Sequence, residues 1–151
     1  MTWQLQASTE LFRLGMSHRA VTSAPTDVYN CIAWAMDDQT RFWWPNGRGY
    51  WPGRRKGEEL QPTLEVFCQA FKTRGYDAFT GPAAEVGFEK VALYSKGNEI
   101  THAAKQLASG FWSSKLGQHV DIEHELQQIE GAAYGTVRAF LRRPARRTPG
   151  N

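Results

Sequence analysis

Hydrophobic positions along the chain follow two rhythms. Leu64, Phe67, Cys68 and Phe71 recur at i, i+3, i+4 and i+7, behind Pro62 and ahead of Gly75, which predicts a helix with one apolar stripe and places Cys68 in the core. From residue 90 the period drops to two. Lys90-Val91-Ala92-Leu93-Tyr94-Ser95 and residues 99–107 are predicted as antiparallel strands joined by a turn at Lys96-Gly97-Asn98. Ala108-Ser109-Gly110 then turns the chain into a third neighbouring strand over residues 111–117. Residues 134–141 predict a last strand, closed by Arg142-Arg143-Pro144 because proline donates nothing to a ladder. Residues 120–129 suit two readings: Val120, Ile122, His124 and Leu126 alternate, while Glu123, Leu126, Gln127 and Glu130 fit a helix.

Ahead of the predicted sheet the pattern is less regular. Residues 1–26 form a lead-in broken by Ser23-Ala24-Pro25-Thr26, after which Asp27 or Asn30 can cap a helix through Ile32, Ala33, Trp34, Ala35 and Met36, with Cys31 at its start. Residues 40–62 carry Phe42-Trp43-Trp44-Pro45, Tyr50-Trp51-Pro52 and Arg54-Arg55-Lys56 between glycines, and neither rhythm survives there. A long, ordered, aromatic-rich loop is predicted. The reading is one α+β domain over residues 27–144, N-terminal helices on an antiparallel meander, with a basic flexible tail at 145–151.

Composition narrows the class. At 151 residues with 41% hydrophobic and 22% charged, the chain is long enough and apolar enough for one globular core. No run approaches the roughly 20 apolar residues of a membrane span, and the N-terminus lacks a charged region followed by an apolar one, so a cytoplasmic protein without membrane contact is expected. Two cysteines do not make a disulfide framework, and both are read as thiols. The net charge of +3 hides an asymmetry: Arg138, Arg142, Arg143, Arg146 and Arg147 follow the last acid, Glu130, and without them the remainder is slightly acidic. Such a stretch can meet nucleic acid or an acidic partner, although solvated basic tails are commoner.

Cys31 carries the most chemistry. A thiolate is favoured at a helix start by unpaired N–H groups, which can also stabilise a tetrahedral oxyanion. His102, on a predicted strand between Thr101 and Ala103, is the best candidate base. A tight turn at Ala108-Ser109-Gly110 puts His102 opposite residue 116 and Ser114 diagonally beside it, so Ser114 can orient the imidazole. Asp121 and His124 are competing orienters. Asn30 and Trp34 beside the cysteine, Trp43, Trp44 and Trp51 in the loop, and Trp112 ahead of Ser114 are candidate substrate-binding residues. The loop tryptophans, interleaved with Arg41, Arg48, Arg54 and Arg55, can make a stacking platform for single-stranded nucleic acid or a sugar, but anchoring so long a loop is the favoured use of these rings.

Asn30-Cys31-Ile32-Ala33-Trp34-Ala35, followed by a sheet whose early strand carries a histidine, resembles the papain-like fold of the NlpC/P60 and CHAP cysteine hydrolases. The resemblance implies Cys31 as nucleophile, His102 as base and a polar residue on the next strand, here Ser114, as orienter. It implies a thiol protease or amidase acting on a peptide-like or amide substrate without a cofactor. In that pattern the third position is His, Asp, Asn or Gln, whereas this strand offers serine or lysine. Tyr29 to Ala35, Thr101-His102-Ala103-Ala104, residues 112–117, Asp121-Ile122-Glu123-His124 and Tyr134-Gly135 also resemble a family of small bacterial proteins without an assigned activity. The alternative function is a non-catalytic module of the same fold that holds a protein or, less readily, nucleic acid. His119, Asp121, Glu123 and His124 include ligand types but no His-x3-His or Cys-x2-Cys spacing, so no metal is expected.

Overall fold

The computed structural model describes residues 3–116 and 120–145. Helix α1 (Trp3–Arg13) and strand β1 (Ala20–Ser23) precede α2 (Cys31–Ala35) and α3 (Leu64–Lys72). The strands β2 (Ala78–Phe79), β3 (Phe88–Lys96), β4 (Glu99–Gln106), β5 (Trp112–Lys115), β6 (Asp121–His124) and β7 (Thr136–Pro144) follow. All seven join one antiparallel sheet in the order β1-β6-β5-β4-β3-β7-β2.

The predicted meander is present as β3, β4 and β5, and β6 extends it. In residues 120–129 both patterns are used in turn, a strand and then a 3-10 helix, Leu126–Ile129, closed by reciprocal bonds between Glu125 and Gln128. The lead-in contains α1 and β1, which adds an edge strand on β6; four residues with alternate half-burial are too few to stand out in a sequence. β7 crosses back to the far side of β3 and runs on through Pro144, which sits opposite Phe88 at the strand's end. Arg142 and Arg143 are therefore strand residues and not part of a tail. Arg143 is 3% exposed and donates to Glu89, Asp37 and the Arg74 carbonyl, while Arg142 pairs with Glu85. Arg146 and Arg147 lie outside the described residues.

Both faces of the central strands are covered. On one side Val91, Leu93, Ala103 and Leu141 pack beneath Cys31, Ile32 and Ala35 of α2, Phe67 and Phe71 of α3, and Trp43 and Trp51 of the loop. On the other, Ala92, Tyr94, Ala104, Trp112 and Ile122 meet Leu11, Met16, Leu126 and Ile129. Two covered faces explain why β3 reads as an almost unbroken apolar run. The α3 stripe is centred on Phe67, Ala70 and Phe71, so Cys68 is only half-buried at the rim beside Phe79 and Leu141, not in the core as its spacing predicted. Among the described residues, no helix is long and apolar enough to cross a membrane.

One side chain joins the long loop to the helix that carries Cys31. Asn30 caps α2, accepting from the Ala33 N–H at 3.2 Å, and also accepts from the Trp43 N–H at 3.0 Å and donates to the Trp43 carbonyl at 2.7 Å. Trp43 is fully buried, its indole N–H donating to Asp38 at 2.8 Å. Asn30→Ala removes a cap and strands both Trp43 backbone groups, an expected loss of about 2–4 kcal/mol. Urea unfolding should show the midpoint falling, with Asn30→Asp retaining part of the stability because it keeps the acceptor.

Candidate active site

Cys31 is the first residue of α2 and is 7% exposed. Burial pushes its thiol up to about 11, against the N–H groups of Ala103, Ile32 and Cys31 itself and the nearby Lys115 charge, all of which pull the other way. The expectation that a helix start favours the thiolate is thus reversed. α2 has only five residues, too few peptide dipoles to offset the loss of water around a buried sulfur.

The N–H of Ala103 points at the sulfur, which is therefore held at the β4 residue that follows His102. The two side chains leave the strand on opposite faces. Ala103 belongs to the α2 side, while His102 is paired with Tyr94, which meets the imidazole edge-on at 5.4 Å on the other side. Tyr134 stacks on the same ring at 4.0 Å and 19°. Gly135 permits that stacking: its φ is +75°, and a Cβ there would overlap the Ser95 carbonyl as the chain passes β3.

His102 is tied to the next two strands. Its Nε2 lies 2.9 Å from Ser114 Oγ, which lies 2.6 Å from His124 Nε2, and His124 Nδ1 lies 2.8 Å from the Glu125 carbonyl. These contacts fix every proton. A carbonyl only accepts, so His124 Nδ1 carries the hydrogen and Nε2 a lone pair. Ser114 must then donate to His124 and accept from His102 Nε2–H, which leaves His102 Nδ1 as a bare lone pair. That atom is buried and has no hydrogen-bond partner among the described residues. Burial, and then the neighbouring His124, hold His102 well below the usual histidine range, and burial brings His124 down to about 4.

Of the three candidate orienters, Ser114 touches His102 directly and His124 stands behind it. Asp121 faces the α2 side, where it accepts from the hydroxyls of Ser23 and of Tyr29, the latter at 3.0 Å. The ring nitrogens of His102 do not bond to Cys31, since Nε2 is taken by Ser114 and Nδ1 has no partner. The candidate substrate-binding residues are mostly structural. Trp43, Trp51 and Trp112 are buried and present no face to a ligand, Asn30 is the clamp described above, and Trp44 packs edge-on against Phe67. Trp34 is half-buried, with its N–H on Ser113 and the Lys105 ammonium 4.0 Å from its ring. Tyr134 is not among the residues that the sequence pattern marks as site candidates, and Lys115 enters there only as the lysine beside Ser114. The Tyr134-Gly135 block was the available signal for the first, and a lysine inside an apolar strand for the second. Both cysteines are free thiols, and no group of three His, Cys, Asp or Glu able to hold a metal occurs among the described residues. A groove of about 580 Å³ walled by Asp37, Glu85, Phe88, Lys90, Lys105 and Leu107 includes neither Cys31 nor His102.

A family described as a domain of unknown function, DUF7689, matches residues 20–142. The chain belongs to the DUF7689 family. The match begins at β1 and ends within β7, so β1 to β6, most of β7 and both ends of the His102–Ser114–His124 chain fall inside the DUF7689 domain. No curated protein and no solved structure matches the chain.

The buried histidines give folding a pH dependence. The folded domain holds His124 neutral from its ordinary 6.5 down to about 4, so in that window the unfolded chain binds a proton that the folded one refuses. Stability is whole above pH 6.5 and is lost as pH falls towards 4, by about 3 kcal/mol for His124 alone. Urea midpoints compared across that range should fall steeply for the native chain and less for His124→Gln; equal slopes would contradict the assignment.

Proposed function

We propose that the DUF7689 domain is a papain-like cysteine hydrolase acting on an amide or thioester bond of a peptide-like substrate. The observation that supports it most is the proton arrangement at His102. A ring buried merely for packing would satisfy both nitrogens, since an unpaired buried polar atom costs about 1–3 kcal/mol. Here two side chains, Ser114 and His124, hold Nε2–H in place and keep Nδ1 unprotonated, on the strand residue next to the one whose N–H meets the sulfur.

In this reading sulfur and Nδ1, which rest on opposite faces of β4, meet on substrate entry at the gap beside residues 102–104, where β4 is not paired with β5 because their ladder is confined to Lys105–Ser113 and Gln106–Trp112. Cys31 attacks the carbonyl carbon as its proton passes to His102 Nδ1, so an S–C bond forms and the carbonyl electron pair moves to oxygen. The N–H groups at the sulfur, those of Cys31, Ile32 and Ala103, are the donors available to that oxyanion. Collapse expels the amine or thiol, which takes the proton from His102, and water repeats the sequence to release the acid. Thiol and imidazole both rest neutral, so the base acts during attack instead of through a preformed ion pair.

One observation favours a second reading. The thiol is nearly inaccessible and hard to ionise, as in a non-catalytic module that uses the same residues for packing. Such a module would hold a protein or nucleic acid through the loop arginines. Arg41 is committed to Asp38 and the Tyr50 ring, and Arg54 to the Arg55 and Glu58 carbonyls, which leaves Arg48 and Arg55 to carry the contact.

Incubation with p-nitrophenyl acetate followed by intact and peptide mass spectrometry separates the two. Acetyl transfer to Cys31 is expected, absent in Cys31→Ala and roughly 10–100-fold slower in His102→Gln and Ser114→Ala. Equal slow acetylation of Cys31 and Cys68, unchanged by His102→Gln, would sink the hydrolase and leave the module, whose mark is steeply salt-dependent binding of single-stranded DNA.

A further inference from the structure

Two aromatic residues of the α2 segment bracket Cys31 and fix what lies beneath it. Trp34 donates to Ser113 Oγ, and Tyr29 donates to Asp121 while its ring lies 5.5 Å from the Lys115 ammonium. Ser113 and Lys115 are two apart on β5 and so share one face, and Lys115 stands opposite Asp121 on β6. Tyr29 and Trp34 stack on each other at 5.9 Å. Cys31, between them in sequence, is thereby set above the β4–β5 strands near the Lys115 head group. Lys115 is completely buried.

A fully buried lysine in a small sheet is costly, and packing alone would be served by an apolar residue. We propose that Lys115 is a positioning residue for Cys31: a buried cation that holds the sulfur's negative charge when the thiol gives up its proton. The proposal rests on the hydrolase reading for its purpose but not for its test. Lys115 transfers no proton; it stays an ammonium, Asp121 and Asp27 balancing it, while the thiol proton goes to His102 Nδ1. The electrostatics agree with the geometry, each of Cys31 and Lys115 favouring the other's charged form against the burial that disfavours both. The titratable groups around the pair are His102 on β4, Asp121 on β6, Tyr134 ahead of β7, and Asp27 and Tyr29 ahead of α2. Lys105, on the same face of β4 as Ala103, is the other cation, and it is committed to Asp37 at 3.0 Å and to the Trp34 ring.

The proposal predicts opposite shifts from two substitutions. Lys115→Met should slow iodoacetamide alkylation of Cys31 about tenfold at fixed mildly alkaline pH, by moving its pH profile up by about one unit. Asp121→Asn keeps an oxygen for Tyr29 and Ser23 but removes the opposing charge, and should move the profile down and speed alkylation. Lys115→Arg should restore the native profile. Cys68, on another element, serves as the internal control, and mere loosening would raise the rate without displacing the profile. If Lys115→Met fails to fold, Asp121→Asn decides alone. An unmoved profile in the folded variants overturns the role of Lys115. A shifted profile without acetyl transfer to Cys31 would overturn the hydrolase and leave the cation's role standing.

Discussion

Because both faces of the sheet are covered, every polar side chain on its inner strands must find its partner inside the protein. That constraint shapes the molecule more than any single helix. Lys90 sends its ammonium to the Gly81 carbonyl and to Glu85, Arg143 spreads its guanidinium over Glu89, Asp37 and Arg74, and Asp121 takes the hydroxyls of Ser23 and Tyr29. A buried polar group without such partners costs more than most side-chain contacts return. Against that background three buried atoms have no hydrogen-bond partner among the described residues, Arg142 Nε, His102 Nδ1 and Asp121 Oδ1, the last two on opposite sides of the sheet.

The same constraint governs α2. A five-residue helix has little stability of its own and is held from outside at both ends. At its start Asn30 binds the helix and Trp43 together. At its end Asp37 adopts φ +58°, the left-handed conformation that usually falls to glycine, and its carboxylate meets Lys105 and Arg143, each at 3.0 Å. Side chains from β4 and β7 therefore hold the C-terminal end of the helix, and the loop holds the other. Cys31 is positioned by contacts from residues far away in sequence.

Burial sets the chemistry available to that cysteine. It raises the thiol and lowers the histidines, so the resting site is uncharged at Cys31 and His102 while Lys115 and Asp121 lie opposite each other next door. Removing water makes each remaining charge matter more to its neighbours.

Much of this was legible in the residues. The turns at Lys96-Gly97-Asn98 and Ala108-Ser109-Gly110 are local, so strand pairing and the register that sets Ser114 beside His102 follow from counting across them, and Asn30, Pro62 and Gly75 mark helix ends by their own side-chain and backbone preferences. The position of β7 beside β3, the attachment of β1 to β6 and the burial of Arg143, whose acidic partners lie 54 and 106 residues away, depend on contacts that no window of sequence contains. The same division runs through the site. The sequence by itself determined that a cysteine starts a helix and that a histidine and a serine share one face of neighbouring strands, because capping and pleating are short-range. Only the tertiary structure decided that Ser114 and His124 both serve His102, that Asp121 faces away from it, and that the thiol is harder to ionise, because proton placement and desolvation depend on everything packed around a group.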